Sequence, residues 1–278
     1  MPSLQQARSS NSSSLSALPS IVPTVVVFGA TSGIGECIVK LFAQDTKGKA
    51  RIVLVGRNEE AAKRIIESLP KNESNNEDTE ERGNYDFISC DITLMKNIRA
   101  FGEELKKKGV QKINYLVLSA GVFSFSGREE TEDGLDWKLV SRFYSRFAII
   151  HTLLPMLHEA VAQGEDASIL SILGAGQSGK VDFANLGLKS HYAGWKAMIE
   201  TCGYNDLMVQ AYSSRNPRIA FTHIHPGAVD TGVYRFQNPV LNFVVRGLGW
   251  PLLRMIMTRP EDCAEWMVYS LLEGARAV

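Results

Sequence analysis

The chain has 278 residues, 45% of them hydrophobic, enough to bury one sizeable core and in keeping with a single domain. Its 30 basic residues are matched by 30 acidic ones, so it lacks the basic excess that a nucleic-acid partner requires. Cys37, Cys90, Cys202 and Cys263 fall in apolar or periodic stretches without metal-ligand spacing, which reads as buried reduced thiols in a cytoplasmic protein and no metal centre.

Residues 1–20 are rich in Ser and poor in large apolar side chains, and this composition predicts a disordered tail ahead of a domain spanning 21–278. They lack the apolar core of a secretory signal; one Arg and no acid leave a mitochondrial presequence as the alternative. The stretch TVVVFGATSGIGECIVKL at 24–41 then changes character. Val25, Val26, Val27 and Phe28 read as a strand buried on both faces. Gly29 ends it, Thr31 and Ser32 are helix-capping types, and after Gly33, Ile34 and Gly35 a helix follows with Ile34, Ile38 and Leu41 on one face. Glycines let the backbone approach a pyrophosphate, and the N–H groups at the helix start hold the anion.

A second strand, RIVLVG at 51–56, leads into Arg57 and Asn58. In a doubly wound sheet this strand end lies beside the adenosine ribose, where Arg favours a 2′-phosphate, so Arg57 points to NADP(H) ahead of NAD(H). The plain alternative is a solvated Arg at a helix start. Residues 59–69 read as a helix, 71–84 as an acidic surface loop, 86–90 as a strand with Asp91 at its end, and 94–108 as a helix. A strand at 113–121 ends in Ser119, Ala120 and Gly121, and the helix at 139–155 carries Phe143, Phe147, Ile150 and Leu154 at core spacing.

The strand SILSIL at 168–173 precedes HYAGWK at 191–196, in which Tyr192 and Lys196 are four residues apart and predicted on one helix face. A nearby cation favours the phenolate of a tyrosine whose free pKa is about 10. A strand at 218–224 runs into HPGAVDT at 225–231, where Pro226 and Gly227 set a turn and His225 reads as a satisfied structural histidine ahead of a site residue. The apolar stretch 233–257, broken by Arg246, Pro251 and Arg254, is unsuited to a membrane span, though contact with a membrane surface is a rival to binding a lipophilic molecule. A helix over 260–272 is the last element. The alternation of strands and helices predicts an α/β, Rossmann-type doubly wound parallel sheet with helices on both faces.

The spacing Gly29-xxx-Gly33-x-Gly35 with its SGIG tetrapeptide, the Tyr192-xxx-Lys196 pair and the P-G loop resemble the short-chain dehydrogenase/reductase family. The resemblance covers residues 22–272. It implies that Asp91 faces the adenine, the plain alternative being a helix cap, that Leu118 and Ser119 replace the two asparagines of the family's N-N-A-G segment ahead of Ala120 and Gly121, and that Pro226, Gly227, Val229 and Thr231 hold the nicotinamide side. Tyr192 then passes a proton to or from the substrate oxygen while Lys196 tunes it and binds ribose. The family's catalytic Asn falls on Arg142, next to Ser141. Its catalytic Ser has two candidates, Ser171 by distance from the strand and Ser178 by distance from the tyrosine, and Arg142 or Ser119 is a substitute donor. Residues 233–257 occupy the place of the substrate lid, and the family's last strand is not found.

These features imply an NADPH-dependent carbonyl reductase, or alcohol dehydrogenase in reverse, acting on a lipophilic ketone or aldehyde. Alternatives are an isomerase or dehydratase on the same fold and a non-catalytic NADP-binding sensor or scaffold. The family commonly forms homodimers or homotetramers through its long helices, and the SILGAG segment looks most like divergent fungal members, some of which serve secondary metabolism.

Overall fold

The computed structural model describes residues 2–17, 22–71, 84–231 and 256–278. Six parallel strands make one sheet: β1 (Thr24–Phe28), β2 (Arg51–Gly56), β3 (Tyr85–Ser89), β4 (Tyr115–Leu118), β5 (Ser168–Ile172) and β6 (Ala220–Ile224). Their order is β3-β2-β1-β4-β5-β6, so the direction of winding reverses between β1 and β4. That reversal opens a crevice at the carboxyl ends of the strands. The sheet is the doubly wound one that the sequence predicts.

The strands read as unbroken apolar runs because both of their faces are covered. Val25, Val27, Ile52 and Leu54 point into one core with α2 (Gly33–Asp45) and the last helix, here α8 (Pro260–Arg276). Val26, Phe28, Val53 and Val55 point into the other, with α4 (Met95–Lys107), α6 (Ser145–Ala162) and Met208 of α7 (Gly194–Arg215). Between β2 and β3 lies α3 (Glu59–Ser68), and α5 is one turn, Trp137–Leu139.

Three expectations change. The Ser-rich start is a helix, α1 (Leu4–Ser16), rather than a disordered tail. Ser3 and Gln6 form a capping box at its start, and Ala7, Asn11 and Leu15, spaced by four, are buried. Asn11 donates from Nδ2 to the Glu265 carbonyl and carboxylate, both at 2.8 Å, and Arg8 pairs with Asp262 at 2.7 Å. Serine content misled because α8 supplies the partner surface. Second, a π-helical turn at Val140–Tyr144 precedes α6 and rotates its face. Phe147 is consequently 45% exposed, and Ile149, Ile150, Leu153 and Leu157 are buried. Third, Pro155 does not end that helix, which continues to Ala162.

The acidic loop 71–84, apart from its ends, and the apolar stretch 233–257, apart from Ile256 and Met257, lie outside the described residues. Among the described residues the sheet ends at β6, and no helix is long and apolar enough to cross a membrane.

Candidate active site

The glycine turn between β1 and α2 is built by exclusion. Gly29 has φ +84°, and a Cβ there would stand 2.6 Å from the Ala120 nitrogen; at Gly35 it would stand 2.3 Å from the Gly29 carbonyl oxygen. Neither position admits a side chain. A Cβ on Gly33, at φ +60°, would meet the Thr231 methyl at 3.1 Å, and one on Gly56 would meet Thr31 at 3.0 Å. The turn therefore touches the segment after β4, the loop after β6 and the end of β2 at once. Ser32 is the N-cap of α2 but makes no side-chain cap bond, and its exposed hydroxyl and the helix-start N–H groups of Gly33, Ile34 and Gly35 face the crevice end of the sheet.

Around this turn the other candidates for dinucleotide binding fall into place unevenly. Ser119 and Ala120 both donate their N–H groups to the Phe28 carbonyl, which lashes the start of Ser119-Ala120-Gly121 to β1. Arg57 is exposed at the β2 end with no carboxylate partner among the described residues. Asn58 is occupied: its Oδ1 accepts from the Ala61 N–H and caps α3. Asp91 accepts from the Thr93 N–H at 3.0 Å and hydroxyl at 2.8 Å, so it closes the turn before α4 and is not that helix's cap. Val229 is buried and pairs with Thr258 in an isolated parallel bridge, and Pro226 accepts from the Cys263 thiol, so the loop after β6 is tied to the start of α8.

The catalytic candidates are arranged differently from the helical reading. The N-cap of α7 is Ala193, in extended conformation, and its first residue is Gly194. Tyr192 therefore precedes the helix, and the expectation that it shares a helix face with Lys196 fails. Two non-glycine residues before it, Leu188 and His191, have φ of +47° and +51°, and this left-handed backbone is what stops the helix from starting earlier. The Tyr192 ring packs against the cluster of Leu139, Leu188, Ala197 and Tyr204, with the Lys138 ammonium 5.5 Å and the Arg128 guanidinium 5.9 Å from its centroid. Its hydroxyl is buried without a hydrogen-bond partner among the described residues. Burial, and then the Asp136 carboxylate beside it, push the phenol above its ordinary value. Lys196 is half-buried and has no ion-pair partner among the described residues.

Neither serine candidate stands free. Ser171 lies wholly buried inside β5, donating to Asn205 Oδ1 and accepting from Arg146. Ser178 packs on Gly203, two and a half turns along α7, and donates to the Gly179 carbonyl. Beyond the strand end stands Gly174, where a Cβ would meet Cys202 Sγ at 2.6 Å, so a serine there would require that thiol to turn away. Arg142 spends its donors on the Thr201 hydroxyl and the Val122 and Met198 carbonyls, and so is not a free substitute donor. Ser119 is half-buried at the crevice. His225 is exposed, with Nδ1 3.4 Å from the Leu173 carbonyl.

Sequence reading missed the polar layer under this end of the sheet: Arg146, and the pair His223–Asp206 at 2.6 Å. Burial lowers the His223 pKa, and its Nε2 has no partner among the described residues. The signal was present as Arg146 four residues after Arg142 in a helix otherwise apolar on that face.

Comparison with known proteins places these features in context. The family model described as short chain dehydrogenase matches residues 23–240. "Oxidoreductase andH" of Emericella variicolor is 32% identical over 99% of this chain and 76% of its own length, and "Oxidoreductase AN1596" of Emericella nidulans is 29% identical over 98% and 77%. Among solved structures, KRED1-Pglu superposes with a TM-score of 0.63 at 21% identity, covering 91% of this chain and 96% of the other. The alcohol dehydrogenase of Thermococcus sibiricus, complexed with 5-hydroxy-NADP, does so with 0.59 at 18%, covering 91% of each.

Proposed function

The chain belongs to the short-chain dehydrogenase family and is an oxidoreductase of that fold; from that premise we propose that it reduces a lipophilic ketone or aldehyde with NADPH. The observation that carries the reading is the convergence on one glycine turn of the β2 end, the segment after β4 and the Thr231 loop, packed so closely that Gly29 and Gly35 admit no Cβ. Residues present fit a dinucleotide: the helix-start N–H groups of Gly33, Ile34 and Gly35 and the Ser32 hydroxyl for the pyrophosphate, exposed Arg57, without a carboxylate partner among the described residues, for a 2′-phosphate, and Ser119 to Gly121 and Thr231 for the other half. The bound cofactor supplies the hydride.

Tyr192 is assigned the proton. Because burial keeps the phenol protonated, it serves as an acid toward the oxygen of a carbonyl being reduced, and poorly as a base for alcohol oxidation. Lys196 is assigned the ribose. Exposed Phe125, Phe183 and Trp195, near the chain segment that carries Tyr192, support a lipophilic substrate, as does the human relative named "Polyprenol dehydrogenase", 23% identical over 88% of this chain and 71% of its own length. Four free cysteines support a reducing, cytoplasmic setting. Exposed Phe147, Ile199 and Leu207 on α6 and α7 support association through those helices.

The test is NADPH consumption against a panel of apolar ketones and aldehydes, with wild type and Tyr192→Phe. Loss of an acid of this kind lowers kcat by about 10²–10⁴-fold. A second reading, an NADP-binding protein that turns nothing over, is favoured by the engagement of Ser171 by Arg146 and Asn205, which leaves no free serine at the β5 end among the described residues. Under it, NADPH binds, no carbonyl is reduced, and Tyr192→Phe changes nothing.

A further inference from the structure

Arg146, in the first turn of α6, is 1% exposed, and no carboxylate meets its guanidinium among the described residues. Nη1 donates to the Leu118 carbonyl and to Ser171 Oγ, both at 2.7 Å; Nη2 donates to the Ala120 carbonyl at 2.6 Å and the Ile172 carbonyl at 3.0 Å. Leu118 is the last residue of β4 and Ile172 the last of β5. Ala120 is the residue whose nitrogen blocks a Cβ on Gly29. One rigid, planar fork thus joins two neighbouring strand ends and braces the segment that closes the glycine turn from behind.

A guanidinium without a carboxylate is a costly way to fill a core, because its hydration is lost and only three carbonyl dipoles and one hydroxyl replace it. Burial, with Arg142 close by, pushes its pKa down to about 9. An apolar residue of similar size would fill the volume with no such cost but would take these donors from the strand-end carbonyls and leave the two ends without their shared brace. The fork's position is one-sided. In a sheet of this order the adenosine half of a dinucleotide lies over β1 to β3 and the other half over β4 onward, so everything Arg146 holds lies under the second half.

We propose that Arg146 is a positioning residue for the nicotinamide half of the cofactor, fixing the ends of β4 and β5 and the Ser119-Ala120-Gly121 segment between them. The proposal rests on the reading of the crevice as an NADP(H) site. Arg146→Lys tests it, because an ammonium keeps the charge but cannot span four acceptors in a plane. Two ligands are titrated: NADPH, which covers both halves of the site, and adenosine 2′,5′-bisphosphate, which covers only the adenosine half. The expected result is an NADPH Kd raised about tenfold, the loss of one to two buried hydrogen bonds, with the bisphosphate Kd changed less than about twofold. Ser171→Ala, which removes one acceptor and little volume, moves NADPH in the same direction by about threefold and decides the matter if Arg146→Lys does not fold. An equal loss for both ligands makes Arg146 a general support of the fold and overturns the proposal, as does an unchanged NADPH Kd. A wild-type protein that binds neither ligand overturns the cofactor reading itself, which is a separate failure.

Discussion

A methyl group at Gly35 would sit 2.3 Å from a carbonyl oxygen, so that glycine is required by the turn before any ligand is considered. This is why the turn itself is legible: glycines spaced for close approach are written in the sequence as absences. Tyr192 and Lys196 were not placed correctly, because a spacing of four counts residues and assumes helical dihedrals, whereas His191 and Ala193 adopt left-handed and extended ones. The serine candidates failed for a related reason: distance along the chain cannot see that Ser171 is already engaged by Arg146 and Asn205. Arg57 carries the prediction at this scale. Arg57→Glu is expected to weaken NADPH about 10–100-fold, the worth of a hydrogen bond to a charged group, and to leave NADH nearly unchanged. Fluorescence titration reads both, and parallel losses for the two cofactors would remove Arg57 from the 2′-phosphate.

At the scale of elements, periodicity located the strands and most helices but misjudged one face and missed one helix. The π-helical turn at Val140–Tyr144 adds a residue to the repeat, so Phe147, in register with the core by a count of four, turns outward. Helix α1 was missed because its stability is borrowed: hydrogen bonds from the N-terminal segment to Asp262, Glu265, Glu273, Trp266 and Arg276 of α8 and to Asp45 of α2 hold a sequence that would not be helical alone, among them the Trp266 indole donating to the Pro2 carbonyl and Arg276 donating to Ser14. Leu15, 2% exposed in the core shared with α2 and α8, is its apolar anchor. Leu15→Ala is expected to cost about 2–5 kcal/mol, seen as a melting temperature lower by several degrees. A melting temperature unchanged by that substitution would mean that α1 does not stay docked in solution.

Over the whole molecule, the alternation of apolar runs and amphipathic helices sufficed to predict a doubly wound parallel sheet, and the structure adds its order, β3-β2-β1-β4-β5-β6. What composition could not give is the pH response of the folded state. Burial holds the Cys37 and Cys90 thiols up at about 11 and Cys263 at about 12, from an ordinary 9.0, and raises Tyr115, Tyr192 and Tyr204 as well. Between the two sets of values the unfolded chain has released protons that the folded chain keeps, so stability falls as pH rises. The midpoint of urea unfolding is expected to hold between neutrality and the ordinary thiol value near 9, then decline through 11; a midpoint flat to pH 11 would refute the burial of these groups. On the acid side the lowered His223 acts in the opposite sense, its contribution being lost as pH drops below the usual 6.5. One consequence of the α1–α8 pairing concerns the order in which the protein is made. Arg8 and Asp262 are 254 residues apart in the chain, so at about 5–20 residues per second a ribosome releases α1 on the order of ten to fifty seconds before its partner exists. Through that interval the α2 surface that α1 and α8 share stands bare, and a nascent chain of this kind is a natural client for chaperones until its final helix emerges.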